Sequence, residues 1–303
     1  MSEPSSVSMA DTTVVIATHN RAPELARTLR QLTLLTPLCP VIVVDNASAD
    51  DTPNVVADHV GDYPPGYLTY IRLLRNKGAV ARNFGIWRAR TTYVAFCDDD
   101  SWWAPDALRR AEDMFAEHPR VGLIAGRVLV GPRGLDDPVN ALLEDSPLPR
   151  SPDAPGPEVL GFLACGCVAR AFALRQCGGF SDVLEFVGEE RLLAYELAAS
   201  GWQQCYVPDI VAHHYPSPTR ADPQARIVLE RRNEVLTAIM RRPAGQVRKA
   251  LARLTQAVFS DRRLAPALGG TLMRLPRAIA RRRPVPHHVE QRIRMVERIA
   301  EDG

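Results

Sequence analysis

Between residues 14 and 125, five short runs of β-branched and aromatic residues alternate with stretches whose apolar residues recur at helical spacing. The runs are Val14 to Thr18, Val41 to Asp45, Leu68 to Leu73, Tyr93 to Cys97 and Val121 to Ala125. Helices are expected to begin near Pro23, Thr52, Ala79 and Pro105, and two of them carry proline at the first helical position, where its missing N–H breaks no bond. The helix from Pro105 sets Leu108, Ala111 and Phe115 on one face, which should pack on the sheet. Strands joined through helices re-enter the sheet in the same direction, so the pattern predicts an α/β fold with a mainly parallel central sheet flanked by helices. Polar residues gather where the runs end: His19 and Asn20, Asp45 and Asn46, then Asp98, Asp99 and Asp100. Ligands of open α/β sheets bind at the carboxyl ends of strands, so three strand ends point to one site.

The chain of 303 residues, 46% hydrophobic and 24% charged, has enough apolar material for a large core. Its net charge of +2 hides an asymmetry, because residues 241 to 298 hold fifteen Arg and Lys against three acids, Asp261, Glu290 and Glu297. A basic tail behind an acidic body suits an anionic partner, with a phospholipid surface, an anionic acceptor or nucleic acid as candidates. Six cysteines (Cys39, Cys97, Cys165, Cys167, Cys177, Cys205) lack CxxC spacing, which favours small buried residues in a reducing compartment over a zinc site or disulfide framework. The segment MSEPSSVSMADTT has neither a basic nor an apolar stretch of a signal peptide, and Val159 to Val168 is too short to span a bilayer. A cytoplasmic protein is expected, peripheral at the inner face of the membrane if the tail binds lipid.

Residues 131 to 157 are dense in Pro, Gly and Asp and read as a long loop, mobile or lying over the site. Residues 188 to 200 read as a helix, Gln203 to Val207 as a strand, and Pro208 to His214 as a further strand ending in paired histidines. From Asp222 onward the pattern is helical, with breaks expected at Pro243, Pro266, Pro276, Pro284 and Pro286.

YVAFCDDDSWWAPDAL, residues 93 to 108, carries the strongest chemical signal. Three adjacent carboxylates at the end of a buried strand repel one another and lose hydration, which raises their pKa values and destabilises the fold unless a cation is present. Hard oxygen ligands favour Mg²⁺ or Mn²⁺, whose octahedral shell is completed by phosphate oxygens and water. The competing reading is that Ser101 and the acids cap the helix from Pro105, which accounts for one acid better than for three. Trp102 and Trp103 suit either stacking on a ligand or packing beside the helix start.

Several segments occur in the order and spacing of family 2 glycosyltransferases with the GT-A fold: TTVVIATHNR (12 to 21), VIVVDNASADDT (41 to 52), RNKGAVARNFGIWRA (75 to 89), the DDD segment, and GGFSDVLEFVGEERLLAYELAASGW followed by YVPDIVAHHYPSP (178 to 218). The resemblance covers residues 12 to 218. It implies a catalytic domain there, with a nucleotide-binding half at 12 to 130 and an acceptor half at 158 to 218. A flexible tail at 1 to 11 precedes it, and a basic helical extension at 219 to 303 follows. It further implies that Thr18, His19, Asn20 and Arg21 contact the nucleotide, that Asp45 meets the base, and that Asn76, Gly78 and Arg82 line the same pocket. Asp98 and Asp100 take the outer places of a DxD-type motif, with Asp98 and Asp99 near the nucleotide and Asp100 and Asp98 as metal ligands. A histidine, His214 or His213, completes the metal or diphosphate shell, and alternation along a strand turns only one of the two toward the site.

The resembled family opens a helix with an acidic pair whose second member is the general base, here Glu190 with Glu189 supporting. Most of its members carry Glu-Asp, so Glu-Glu leaves the choice between the two open. The implied reaction is an inverting hexosyl or deoxyhexosyl transfer in cell-wall or glycan biosynthesis. Its expected partners are a nucleotide-sugar donor and a glycan, glycolipid or small-molecule acceptor. A sugar nucleotidyltransferase would also want paired acids, but it would add a Gly-rich phosphate loop that ATHNRAPE lacks; the third alternative is a catalytically silent nucleotide-binding or membrane-adaptor module. The arginine-bearing helices across 231 to 284 suit an anionic membrane surface, and no nucleic acid partner is expected.

Overall fold

The computed structural model describes residues 10–217 and 222–302. Residues 1–9 of the expected tail, and the boundary expected at 218, lie outside the described residues. Four strands form the parallel half of the sheet: β1 (Thr12–Thr18), β2 (Val41–Asp45), β3 (Leu68–Arg72) and β4 (Tyr93–Asp98). Their spatial order is β3-β2-β1-β4, so the chain leaves β1 in one direction and later returns to its other side. The carboxyl ends of β1 and β4 thus flank the point where strand order reverses, the crevice that such sheets use for ligands.

Continuous apolar runs form these strands because both sheet faces are buried. Val14, Ile16, Val41 and Val43 pack on one side with α1 (Ala22–Leu32), α2 (Thr52–Asp58) and α4 (Ala107–Glu117). Val15, Ile42, Val44, Val94 and Phe96 pack on the other with α3 (Ala81–Arg88), α6 (Ala171–Cys177) and α7 (Glu189–Ala199). Leu108, Ala111 and Phe115 are buried on one face of α4, as the pattern predicts. That helix starts two residues after Pro105, and Pro23 is the second residue of α1, so neither proline holds the first helical position.

Beyond β4 the sheet turns mixed, continuing as β8, β6, β9, β5. These are β5 (Ser101–Trp103), β6 (Val121–Val130), β8 (Cys167–Arg170) and β9 (Gln203–His214), with β7 (Leu135–Asp136) paired to β6. β8 runs antiparallel to both β4 and β6, while β6 and β9 are parallel. Residues 131 to 157 are not one loop, since they contain β7 and α5 (Pro138–Glu144). Asn140 anchors α5 by accepting from the Val128 amide and donating to the Val128 carbonyl. The two strands expected at 203 to 214 are one, because the β6–β9 register skips from Val207 to Val211 and leaves Pro208 with no β6 partner to donate to.

Four helices follow: α8 (Pro223–Arg241), α9 (Ala244–Ser260), α10 (Ala265–Ala280) and α11 (His287–Asp302). Pro266 sits in the first turn of α10 and Pro276 inside it, so neither ends a helix. α8 to α10 share a core with residues 183 to 192 through Val183, Leu184, Leu192, Leu236 and Ile239. Arg242, buried at the end of α8, forks onto Glu290 and Glu297 and fixes α11. No described helix is long and apolar enough to cross a membrane. All six cysteines are unbonded and five are buried.

α3 can lie close on β1 because residue 85 is glycine: a β-carbon there would come within 2.3 Å of Val15 Cγ1. Val15 is β-branched and buried, so it has no free rotamer into which to retreat. Gly85→Ala is expected to lower the unfolding free energy by about 1–3 kcal/mol, measured as a lower denaturant midpoint at unchanged slope.

Candidate functional site

Thr18, Asp45 and Asp98 end β1, β2 and β4, and the acidic triplet fills the turn between β4 and β5. Its three carboxylates take three different sets of partners. Asp98 accepts a 2.6 Å bond from Arg82 Nη2. Asp99 is buried and accepts from the Thr18 hydroxyl at 2.9 Å, while the Thr28 hydroxyl donates to its main-chain carbonyl. Burial, then repulsion from Asp100 and Asp98, pushes the Asp99 carboxyl up to about 7. Asp100 faces His214, with its Oδ1 3.4 Å from Nε2, and its Oδ2 accepts from the Ser217 amide and lies 3.9 Å from Arg21. Burial alone would raise the pKa of Asp100, but His214, the Ser217 amide and Arg21 outweigh it and the net direction is down.

None of the three acids caps α4, whose N-cap Asp106 lies past β5. Ser101 instead accepts from the Asp98 amide and tightens the turn. β5, absent from the sequence reading, is the element that completes the site: it pairs Ser101 with His214 and Trp102 with His213 across to β9. Trp102 and Trp103 are buried and pack, Trp103 donating to the Phe96 carbonyl. Adjacent β-prone tryptophans directly after the triplet were the signal for this strand.

Asp100 and His214 fit a divalent cation as a pair. Their 3.4 Å separation is close to the spacing of neighbouring ligands on an ion with bonds of about 2.1 Å, and such ions take their remaining ligands from phosphate and water. No group of three or more His, Cys, Asp or Glu able to hold a metal exists among the described residues. Asp98 and His213, named with these two from the sequence, point elsewhere: Asp98 to Arg82, His213 against the Trp102 ring at 6.0 Å.

Arg82 is buried, and besides Asp98 it faces Glu189, with Nη1 3.9 Å from Oε1. Its fork is therefore occupied by protein carboxylates rather than open to a phosphate. Glu189 is 2% exposed and its Oε2 has no hydrogen-bond partner, whereas Glu190 beside it keeps some exposure. Burial first, opposed by Arg82, raises the pKa of both; Glu190 further raises Glu189.

The segment leading into this acidic helix is strained and held from several sides. Glu185, Val187 and Gly188 all have positive φ (67°, 70° and 82°). Asn233 of α8, 1% exposed, shares its two amide hydrogens among the carbonyls of Leu184, Phe186 and Val187 at 3.2, 2.6 and 2.7 Å. Arg232 donates to the Leu184 carbonyl, Arg274 of α10 pairs with Glu185 at 2.5 Å, and Ala79 donates to the Glu185 carbonyl. Gly78 belongs to the same junction, for a β-carbon there would strike that carbonyl at 2.3 Å. Sequence reading missed Asn233; a polar residue between Arg232 and the apolar run Val235–Leu236 was its only trace.

The remaining candidates lie around the crevice. His19 and Asn20 are exposed after β1, with Asn20 at φ 55° and its Oδ1 accepting from Ala49. Asp45 is fully buried, accepting from the Ser48 amide at 2.8 Å and the Tyr70 hydroxyl at 2.5 Å. Asn76 accepts from the Gly78 amide, and Asn46 ties the loop to β2 by donating to the Gly78 carbonyl and accepting from Lys77.

Residues 13–177 match the model of the family described as glycosyl transferase family 2. Over 224 residues the chain is 32% identical to the pre-mycofactocin glycosyltransferase of Mycobacterium tuberculosis, covering 72% of this chain and 45% of that one. Over 112 residues it is 38% identical to the succinoglycan biosynthesis protein ExoO of Rhizobium meliloti, covering 36% and 31%. The chain thus spans less than half the length of these curated relatives. Among solved structures, the mannosyltransferase PcManGT from Pyrobaculum calidifontis, in complex with GDP-Man and Mn²⁺, superposes with a TM-score of 0.60 at 20% identity over 97% of this chain and 89% of that one. TarS of S. aureus in complex with UDP-GlcNAc gives 0.59 at 17% identity over 92% and 82%. The fold is GT-A. A family of sugar transferases leaves the nucleotidyltransferase alternative without support.

Two substitutions test how the site is held. Arg82→Met leaves Glu189 and Asp98 without their shared cation and is expected to cost about 3–5 kcal/mol of unfolding free energy. The orphaned Glu189 carboxyl is then raised further still above its wild-type folded value of about 8, so the deficit against wild type from this group grows as pH rises through that value and fades below it. Denaturant melts at several pH values read this directly. Asn233→Ala leaves the Phe186 and Val187 carbonyls short of a donor, that of Leu184 keeping Arg232, and is expected to cost about 2–4 kcal/mol, with faster hydrogen exchange confined first to residues 184–188.

Proposed function

The chain belongs to glycosyltransferase family 2, and on that premise we propose that it moves a hexosyl or deoxyhexosyl group from a nucleotide-diphosphate sugar to an acceptor hydroxyl, with inversion. One observation carries the reading: Arg82 draws a donor-side acid, Asp98, and Glu189, the first of the acidic pair opening α7, to a single point beside the β1–β4 crevice. A transfer needs both functions within one substrate length of each other.

In the proposed arrangement, Thr18, His19, Asn20, Arg21, Asn76 and Asp98 border the nucleotide, while Asp45, Asp99 and Gly78 act from behind by fixing the loops that carry them. Asp100 and His214 would hold Mg²⁺ or Mn²⁺. When bound there, the ion supplies positive charge against the diphosphate. Glu190 takes the proton of the acceptor hydroxyl as its oxygen bonds to the anomeric carbon and the bond from that carbon to the diphosphate breaks. The Glu189 carboxylate, buried and 3.9 Å from Arg82, is committed to that ion pair, which supports Glu190 for this role. Buried Glu189 and Arg82 then set its charge environment. Residues 12–130 serve the donor, residues 158–218 the acceptor, and 219–303 form the helical extension that braces α7. The acceptor is a glycan, a glycolipid or a small molecule.

Screening nucleotide sugars for Mn²⁺-dependent release of nucleoside diphosphate tests the reading; no release from any donor, with no thermal stabilisation by any nucleoside diphosphate and metal, would sink it. Glu190→Gln is expected to lower transfer by about 10²–10⁴-fold while leaving nucleotide-induced stabilisation intact. If Glu189→Gln shows that loss and Glu190→Gln does not, the roles are reversed. Because the base acts when deprotonated and burial raises its pKa, the acid limb of kcat/KM should fall above the ordinary carboxylate range and disappear in the inactive variant.

A further inference from the structure

We propose that the outward face of α10 docks on an anionic phospholipid bilayer, an interaction independent of the transfer reaction. α10 buries Ala267, Thr271 and Ala278 against the neighbouring helices. Its opposite side should be polar if it faced only water. Instead, the residues that recur there are Ala265, Pro266, Gly269, Leu272, Met273, Pro276, Ile279 and Ala280, all exposed and none charged. Leu272 is 60%, Met273 80% and Ile279 55% exposed, and Phe259 at the end of α9 is 85% exposed. Large side chains this open along one helix face form a continuous apolar strip.

Charge decides what covers it. Residues 244–283 hold ten Arg and Lys and one acid, Asp261. Arg262 and Arg263 stand exposed in the turn entering α10, and Arg277 borders the strip. Arg262 and Arg277 form no ion pair with a described residue, so their charge is available to a partner. An apolar strip bordered by arginine matches the interface of an anionic bilayer, where acyl chains take the first and headgroups the second. A second copy is a poor match, because a symmetric contact would set Arg262 and Arg277, neither ion-paired to a described residue, near their own images. On its inner flank α10 is fastened by Arg274 to Glu185, four residues before Glu189 opens α7.

The test is sedimentation of the full chain with vesicles of phosphatidylcholine alone and of phosphatidylcholine mixed with phosphatidylglycerol. Binding is expected to the mixed vesicles, to weaken with added salt, and to be slight on phosphatidylcholine. Leu272→Asp with Met273→Asp, and separately Arg262→Glu with Arg277→Glu, should each lower partitioning at least about tenfold. All four positions are exposed, so melting temperature and donor hydrolysis should be unchanged, which separates lost docking from lost folding. Absence of binding to the mixed vesicles, or unchanged binding in both double variants, would overturn the proposal. So would a dimer on size exclusion that Leu272→Asp with Met273→Asp dissociates, for then a second copy covers the face.

Discussion

The buried guanidinium of Arg82, set between Asp98 and Glu189, is the interaction on which the site depends. Burying a carboxylate costs several kcal/mol unless a cation meets it, and two carboxylates from different parts of the chain meet the same cation here. Arg82 is delivered by α3, Asp98 by the end of β4 and Glu189 by the start of α7. Gly85 lets α3 lie on β1, so the position of the charge rests on a packing contact. Phe180 closes the cluster, with the Arg82 guanidinium 5.4 Å from its ring centroid and the Phe96 ring against its edge.

The C-terminal helices continue that logic. A segment with three positive-φ residues in four positions does not hold itself, since non-glycine residues disfavour this region by about 1–3 kcal/mol each. Asn233, Arg232 and Arg274 supply the restraint from α8 and α10. The extension thus has two sides of opposite character: an inner one that fixes the entry to α7 through hydrogen bonds and Leu236, and an outer one of exposed apolar and basic residues.

Legibility in the sequence followed the physics of each element. β2 matches its expected bounds because a run buried on both faces carries a strong signal. β5 was missed because three residues after a polar triplet have no periodicity of their own; the pairing with β9 makes them a strand. The 131–157 segment read as loop because Pro and Gly dominate it, yet Asn140 bonded to Val128 stabilises a helix there. Pro276 read as a break, but it falls on the outward side of α10, where a lost helical bond disturbs no core contact. Alternation along a strand limited the histidines to one, and the β5–β9 pairing selected His214 to lie beside Asp100.

By itself the sequence determined that acids end the strands of an α/β sheet, since hydrophobic period and strand-end polarity are local properties, and it determined the basic excess of the tail. Only the tertiary structure decided what each acid faces. Ser217 lies 117 residues from Asp100 and Thr18 lies 81 from Asp99, and separations of that length leave no local pattern to read. The same holds for Arg82, which the family resemblance sets among the residues lining the nucleotide pocket. Its neighbours across the fold make it the buried counter-charge of two carboxylates, because desolvation leaves Arg82 and Glu189 no water to turn to and Asp98 lies within hydrogen-bond reach.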